Sequence, residues 1–237
     1  MIAMDNKTKW IEHVEGEKEY FSTPPEPFNN WQRNSKPEWL AERNLQNALS
    51  IVYGNWNYRF AKPFLEASIE VVDRAFAEDR FHAQYAEYGL PRNIGLALRV
   101  RAYAKAIQGE SLDTGGLRQA SANYIEWCSD LKGSDWDSIA QSDYLAGVKM
   151  SLLAGDIEQA QLLLQTKRKF KWHAEEYGLL VDLTREATSG IPIQNPDLST
   201  RVTAFFDHIR DFDFKADVYF EVDLARLEWG ALIKKYF

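Results

Sequence analysis

A single cysteine, Cys128, stands in the whole chain of 237 residues. One thiol can close no intrachain disulfide and build no cysteine metal cluster, which sets aside the disulfide scaffolds of secreted proteins. Its neighbours Trp127 and Ser129 lie in a helical pattern with an apolar face, so a buried and inert thiol is expected. No apolar run approaches the ~18 residues of a membrane span. The opening residues Met1-Ile2-Ala3-Met4-Asp5-Asn6 lack the apolar stretch of a signal peptide. A soluble, cytoplasmic protein that engages no membrane is the expectation.

The signatures of chemistry are missing as well. There is no Gly-x-Ser-x-Gly elbow, no phosphate loop and no dinucleotide fingerprint. The four histidines, His13, His82, His173 and His208, form no His-Glu-x-x-His and no Glu-x-x-His pattern, the spacings that put metal ligands on one helix face. Glu78 and His82 share a face at i, i+4, but that spacing is common in an acidic helical chain, and a surface pair is the favoured reading. Asp135-Trp136-Asp137 and Asp211-Phe212-Asp213 read as helix caps and solvated loops. The chain is therefore expected to be no enzyme, with no catalytic residue, no cofactor and no metal.

Positive charge is in deficit: the formal net charge is −7. Such a surface repels phosphate backbones and anionic lipid, and suits a basic partner. One basic run, Lys167-Arg168-Lys169-Phe170-Lys171-Trp172-His173, has the cations and aromatics of a nucleic-acid contact. The overall charge opposes that, so cations completing a helix C-terminus are preferred, and no nucleic-acid partner is expected.

What the chain does hold is helical period. Ala41, Leu45, Ala48 and Val52 are spaced by four, three and four residues. Leu65-Ile69-Val72-Phe76, Leu96-Val100-Tyr103-Ile107 and Phe220-Leu224-Leu227-Ala231 repeat that spacing, and Leu117-Ala120-Tyr124-Trp127-Leu131 continues it. Each set falls on one face of a helix. The many aromatics (8 Trp, 11 Tyr, 13 Phe) fall mostly on these stripes and read as core. Pro37, Pro63 and Pro91 sit where helices should start, and Gly109, Gly133 and Gly155 where they should stop. About nine helices follow, near 38–53, 63–87, 92–108, 116–131, 135–154, 156–166, 171–188, 197–210 and 216–235. Residues 1–37, with Pro24, Pro25, Pro27 and Pro37, read as an arm that docks on a single all-α body over 38–237.

The most informative stretch runs from Tyr144 to Ala160. An apolar helix ends in Leu152-Leu153-Ala154, Gly155 supplies a left-handed turn, and Asp156 caps a second helix whose Ile157, Ala160, Leu163 and Leu164 face the first. Small Gly147 and Ala160 invite close helix approach. This stretch, within 143–165, resembles a tetratricopeptide-type hairpin, where a Gly-Asp turn precedes an inward Ala. Echoes occur around Gly54 and Gly109, at spacings longer and less even than that family's ~34 residues. The resemblance implies an all-α, irregular array of antiparallel hairpins with a superhelical tendency.

Between 207 and 228, Asp207, Asp211, Asp213, Asp217, Glu221, Asp223 and Glu228 face only Arg210, Lys215 and Arg226. Aromatics are interleaved among them. Asp211, Phe212, Asp213, Phe214, Asp217, Tyr219 and Glu221 are the candidate partner-binding residues, because charge steers encounter and aromatics anchor it. In size, acidity and missing chemistry the chain is similar in kind to the all-helical immunity proteins of bacterial toxin systems. That likeness implies a non-catalytic inhibitor that covers a basic toxin domain. A peptide-holding adaptor or chaperone with a concave groove, and a helical hydrolase with a carboxylate site, are the alternatives.

Overall fold

The structure is a computed structural model that describes residues 37–53, 58–78, 90–131, 133–189, 192–211 and 219–237. The arm expected over 1–37 lies outside these, except for Pro37. Among the described residues the chain is all-helical: α1 (Pro37–Tyr53), α2 (Tyr58–Ala77), α3 (Leu90–Ile107), α4 (Thr114–Asp130), α5 (Ser138–Leu153), α6 (Ile157–Leu164), α7 (Ala174–Ser189), α8 (Pro196–Asp211) and α9 (Tyr219–Tyr236). A short 3-10 turn, Gly133–Asp135, precedes α5. No helix among the described residues is long and apolar enough to cross a membrane.

Side-chain caps fix four of the helix starts. Asp113, Asp137 and Asp156 each accept a hydrogen bond from the backbone three residues on, at 2.8, 2.9 and 3.2 Å, and Asn195 does the same for Leu198 at 3.1 Å. Such caps satisfy amides that the first helical turn leaves over. Of the Asp135-Trp136-Asp137 stretch read as helix caps, Asp137 caps α5, and Asp135 ends the 3-10 turn before it. Pro63 also stands differently from expectation: it lies inside α2, which begins a turn earlier at Tyr58. As the sixth residue of the helix it stands past the unpartnered first-turn amides, so it forfeits one i→i−4 hydrogen bond. The hairpin turn between α5 and α6 forms as expected, with Gly155 at φ +79°, a conformation that costs a residue bearing a Cβ. Gly147, by contrast, serves α4 and not α6. A Cβ there would come within 3.1 Å of Ile125, and Ser121 Oγ donates to Gly147 O at 2.7 Å.

Neighbouring helices pack as antiparallel hairpins: α1 on α2, α3 on α4, α4 on α5, α5 on α6, α6 on α7 and α8 on α9. The last helix then turns back against α5 and α1. α5 is buried on nearly every side, the condition of a helix at the centre of a fold. Its polar residues are accordingly partnered: Gln141 accepts from the Lys171 and Trp172 amides at 2.9 and 3.0 Å, and Ser151 Oγ lies 2.9 Å from Ser121 Oγ. Cys128 is buried as expected, its thiol 3.5 Å from Ala140 O, and burial pushes its pKa up.

The chain end is anchored from both sides. Tyr236 Oη donates to Leu152 O at 2.7 Å, and Lys235 Nζ to Leu152 O and Leu153 O at 2.9 and 2.7 Å. These carbonyls belong to the last turn of α5, where a cation complements the helix dipole. Ile193 N donates to Tyr236 O at 2.9 Å.

Candidate functional site

α9 carries its charge inward. Glu228 is wholly buried, although the sequence places it with the acidic surface. The fully inaccessible face runs through Glu228, Trp229, Leu232 and Tyr236, rotated from the Phe220-Leu224-Leu227-Ala231 stripe.

Three helices supply its partners. Arg99 of α3 donates through Nε to Glu228 Oε1 at 2.7 Å, and its Nη2 lies 2.7 Å from the same oxygen. Tyr103 donates to that oxygen at 2.9 Å. Lys149 of α5 stands 2.8 Å from Glu228 Oε2 and donates to Glu176 Oε1 of α7 at 2.9 Å. Trp229 Nε1 donates to Glu176 Oε1 at 3.1 Å. Two cations and two carboxylates thus form a neutral cluster at the junction of α3, α5, α7 and α9, and charges this deep persist only when paired and hydrogen-bonded.

The balance shows in the titration of each group. Burial pushes the Glu228 carboxyl up, but Arg99 and Lys149 outweigh it and hold the group below its ordinary value. Burial lowers Lys149, and Glu176 with Glu228 more than restores it. Arg99 is raised in the same way, chiefly by Glu228. The contribution of Glu228 is therefore complete above the ordinary carboxylate range and is lost as pH falls through its depressed folded pKa. Those of Arg99 and Lys149 are complete below their ordinary values and fade only above them. The urea midpoint should accordingly stay flat from about pH 6 to about pH 9 as far as this cluster is concerned, and drop below about pH 4. A midpoint that instead rises as pH falls from about 7 to about 5 would mean that Glu228 is not held ionised.

Beside the cluster lies a cavity of about 400 Å³. Its wall includes Arg92 and Arg99 of α3, Tyr124 of α4, Asp143 and Lys149 of α5, Glu175 and Glu176 of α7, and Glu42 of α1. Arg92 Nε donates to Asp143 Oδ2 at 2.5 Å. Trp172 and His173, from the link before α7, and Phe205, His208 and Ile209 of α8 also face it. His173 Nδ1 lies 3.7 Å from Glu176 Oε2, and its Nε2 lies 3.2 Å from Ser138 Oγ. Among the described residues no group of three or more His, Cys, Asp or Glu is placed to hold a metal ion.

The basic run finds a structural role. Arg168 Nη2 donates to Leu131 O at 2.8 Å and Ser129 O at 3.3 Å, so it completes the C-terminus of α4 and not of the helix before it. Its guanidinium lies 4.6 Å from the Trp136 ring centroid. Trp172 alone of that run's aromatics stays open, 61% exposed, while its backbone is pinned by Gln141.

Of the seven candidate partner-binding residues, Phe212, Asp213, Phe214 and Asp217 lie outside the described residues. Asp211 ends α8, and Tyr219 and Glu221 begin α9. His82 and Gly54 also lie outside. The sequence missed the cluster because a buried charge looks like a surface charge when read alone. Its signal was the i, i+4 run of Leu224, Glu228, Leu232 and Tyr236, three of them apolar or aromatic. Comparisons with family models, with curated proteins and with solved structures find no match to the chain.

Proposed function

We propose that the chain is a non-catalytic protein-binding protein, a cognate inhibitor that neutralises a basic toxin domain by covering it. The observation that carries this reading is Trp172: a large aromatic, 61% exposed, on a backbone whose Lys171 and Trp172 amides both donate to Gln141 Oε1. Aromatic anchors that are rigid before binding contribute most to protein interfaces, because little freedom is left to lose. Two further exposed apolar residues lie on helices that line the cavity. Trp39, 45% exposed, is one turn from Glu42, and Ile139, 39% exposed, is one turn from Asp143. The acidity of the chain supplies the steering charge. The return of α9 onto α1 and α5 supports an inhibitor more than an adaptor that holds a peptide in an open groove.

The test is co-expression with the product of the neighbouring reading frame. That product should arrest growth alone, and this chain should restore growth and form a stable complex with it. Trp172→Ala should weaken the complex at least tenfold, about 1.4 kcal/mol or more, with an unchanged thermal midpoint. If the neighbouring product arrests nothing, or is not bound, the reading is wrong. The combined change of Asp213, Asp217 and Glu221 to Lys should weaken the same complex, and undiminished affinity would remove the acidic aromatic stretch from the interface.

A further inference from the structure

Ser138 opens α5, and His173 stands just before α7, 35 residues on. Their side chains meet: Ser138 Oγ lies 3.2 Å from His173 Nε2. The opposite ring nitrogen, Nδ1, lies 3.7 Å from Glu176 Oε2. Lys149 and Trp229 both donate to Glu176 Oε1, so Oε2 is the oxygen turned to the ring. A hydroxyl, an imidazole and a carboxylate in this order are the parts of an activated nucleophile.

The surroundings fix these parts in place. Gln141, one turn along α5 from Ser138, accepts from the Lys171 and Trp172 amides, and His173 O accepts from Tyr177 N at 3.0 Å. The link that carries the ring is thereby tied to the helix that carries the hydroxyl, and little freedom is left to lose when they react. Ser138 is exposed and Glu176 is buried. The hydroxyl is open to a reagent, while the carboxylate is sheltered from water, where its charge acts more strongly. That charge beside Nδ1 favours the tautomer with its proton on Nδ1, which leaves Nε2 to accept from the hydroxyl. The amides of Ser138 and Ile139 belong to the first turn of α5, where no intrahelical acceptor exists, and can answer charge on a carbonyl oxygen. Ile139 follows Ser138 and Trp172 precedes His173, both exposed, so an apolar acyl group suits the place.

We infer that Ser138 is a reactive serine that takes one apolar acyl group from an activated ester, with His173 as its base and Glu176 steadying the imidazolium. Oγ adds to the ester carbonyl carbon as its proton passes to Nε2. The adduct then expels the leaving oxygen, which carries that proton away as the alcohol, and Ser138 is left as an ester. Nothing is oxidised or reduced. Once the hydroxyl is esterified, the neutral ring can hold its proton on Nε2 and donate to Ser138 O, also 3.2 Å away. The base is thereby withdrawn from water, and the ester persists. One transfer without turnover goes beyond the inhibitor reading and requires nothing of it.

The test is p-nitrophenyl acetate added to the full chain, with p-nitrophenolate release followed by stopped flow and the acetyl group located by peptide mass spectrometry. Release should come as a burst of about one p-nitrophenolate per chain, with the acetyl group on Ser138. Ser138→Ala and His173→Gln, both at partly open positions, should keep the thermal midpoint and slow the burst at least about a hundredfold. Glu176→Gln should slow it about tenfold and leave its size at about one per chain. A smaller burst at the original rate would give Glu176 a structural role only and overturn its part. An equal burst from Ser138→Ala, or acetyl groups on His173 or lysines alone, would overturn the assignment. Steady release at the burst rate with Ser138 left free would overturn it equally. Growth rescue by the Ser138→Ala chain separates this result from that of the inhibitor reading.

Discussion

Glu228→Ala should destabilise the chain by about 3–5 kcal/mol, read as a lowered urea midpoint at about neutral pH. The carboxylate is wholly buried and takes Arg99, Tyr103 and Lys149 onto two oxygens. Its removal leaves a buried guanidinium without a counter-ion and Lys149 with Glu176 alone. Desolvation of those cations is then uncompensated, and this penalty, more than the lost attraction, sets the size of the effect. An exposed acid provides the contrast. Glu66 pairs with Lys62 at 3.5 Å with both side chains more than half exposed, and Glu66→Ala should change stability by about 0.5 kcal/mol or less. Equal losses at the two positions would mean that Glu228 is not paired as described.

Trp229→Ala should cost a similar amount, about 3–5 kcal/mol, by a different route. Trp229 is fully buried next to Glu228 and packs edge-on to Phe205, with centroids 5.2 Å apart at 66°. Truncation opens a void between α8 and α9 and also takes the indole N–H from Glu176 Oε1. Trp229→Phe separates the two contributions. It keeps most of the ring volume and loses the N–H donor, and should cost about 1–2 kcal/mol. If Phe were as damaging as Ala, the hydrogen bond to Glu176 would outweigh packing. Because Trp229 and Glu228 both act on the cluster through α9, their effects should not add.

The helices were legible in the sequence because their burial is periodic. Ala41, Leu45 and Ala48 of α1 and Leu117, Ala120 and Tyr124 of α4 are all buried, as the spacing predicted. The α5–α6 hairpin was legible for a sharper reason: Gly155 and Asp156 are the residue types that a left-handed turn and a helix cap require. Periodicity failed where burial is not apolar. Glu228, Lys149, Glu176 and Arg99 come from four helices as far as 129 residues apart, and pairing across that distance leaves no mark on local pattern. The same absence hid the cavity, whose wall draws Arg92, Tyr124, Asp143 and Glu176 from four helices. Phe76 shows the reverse case. It lies on a predicted stripe, yet it is 37% exposed, with the Arg101 guanidinium 5.7 Å from its ring centroid.

Arg99, Lys149, Glu176 and Glu228 are held to act as one unit that fixes α9 and shapes the cavity beside it. A double-mutant cycle on Arg99→Met and Glu228→Leu, read by urea unfolding, tests this most directly, because the paired apolar change leaves Lys149 and Glu176 in balance. Each single variant should lose about 3–5 kcal/mol, and the double variant should recover at least about 2 kcal/mol of the summed loss. Losses that add to within about 0.5 kcal/mol would show the two residues to be energetically independent and would contradict the cluster.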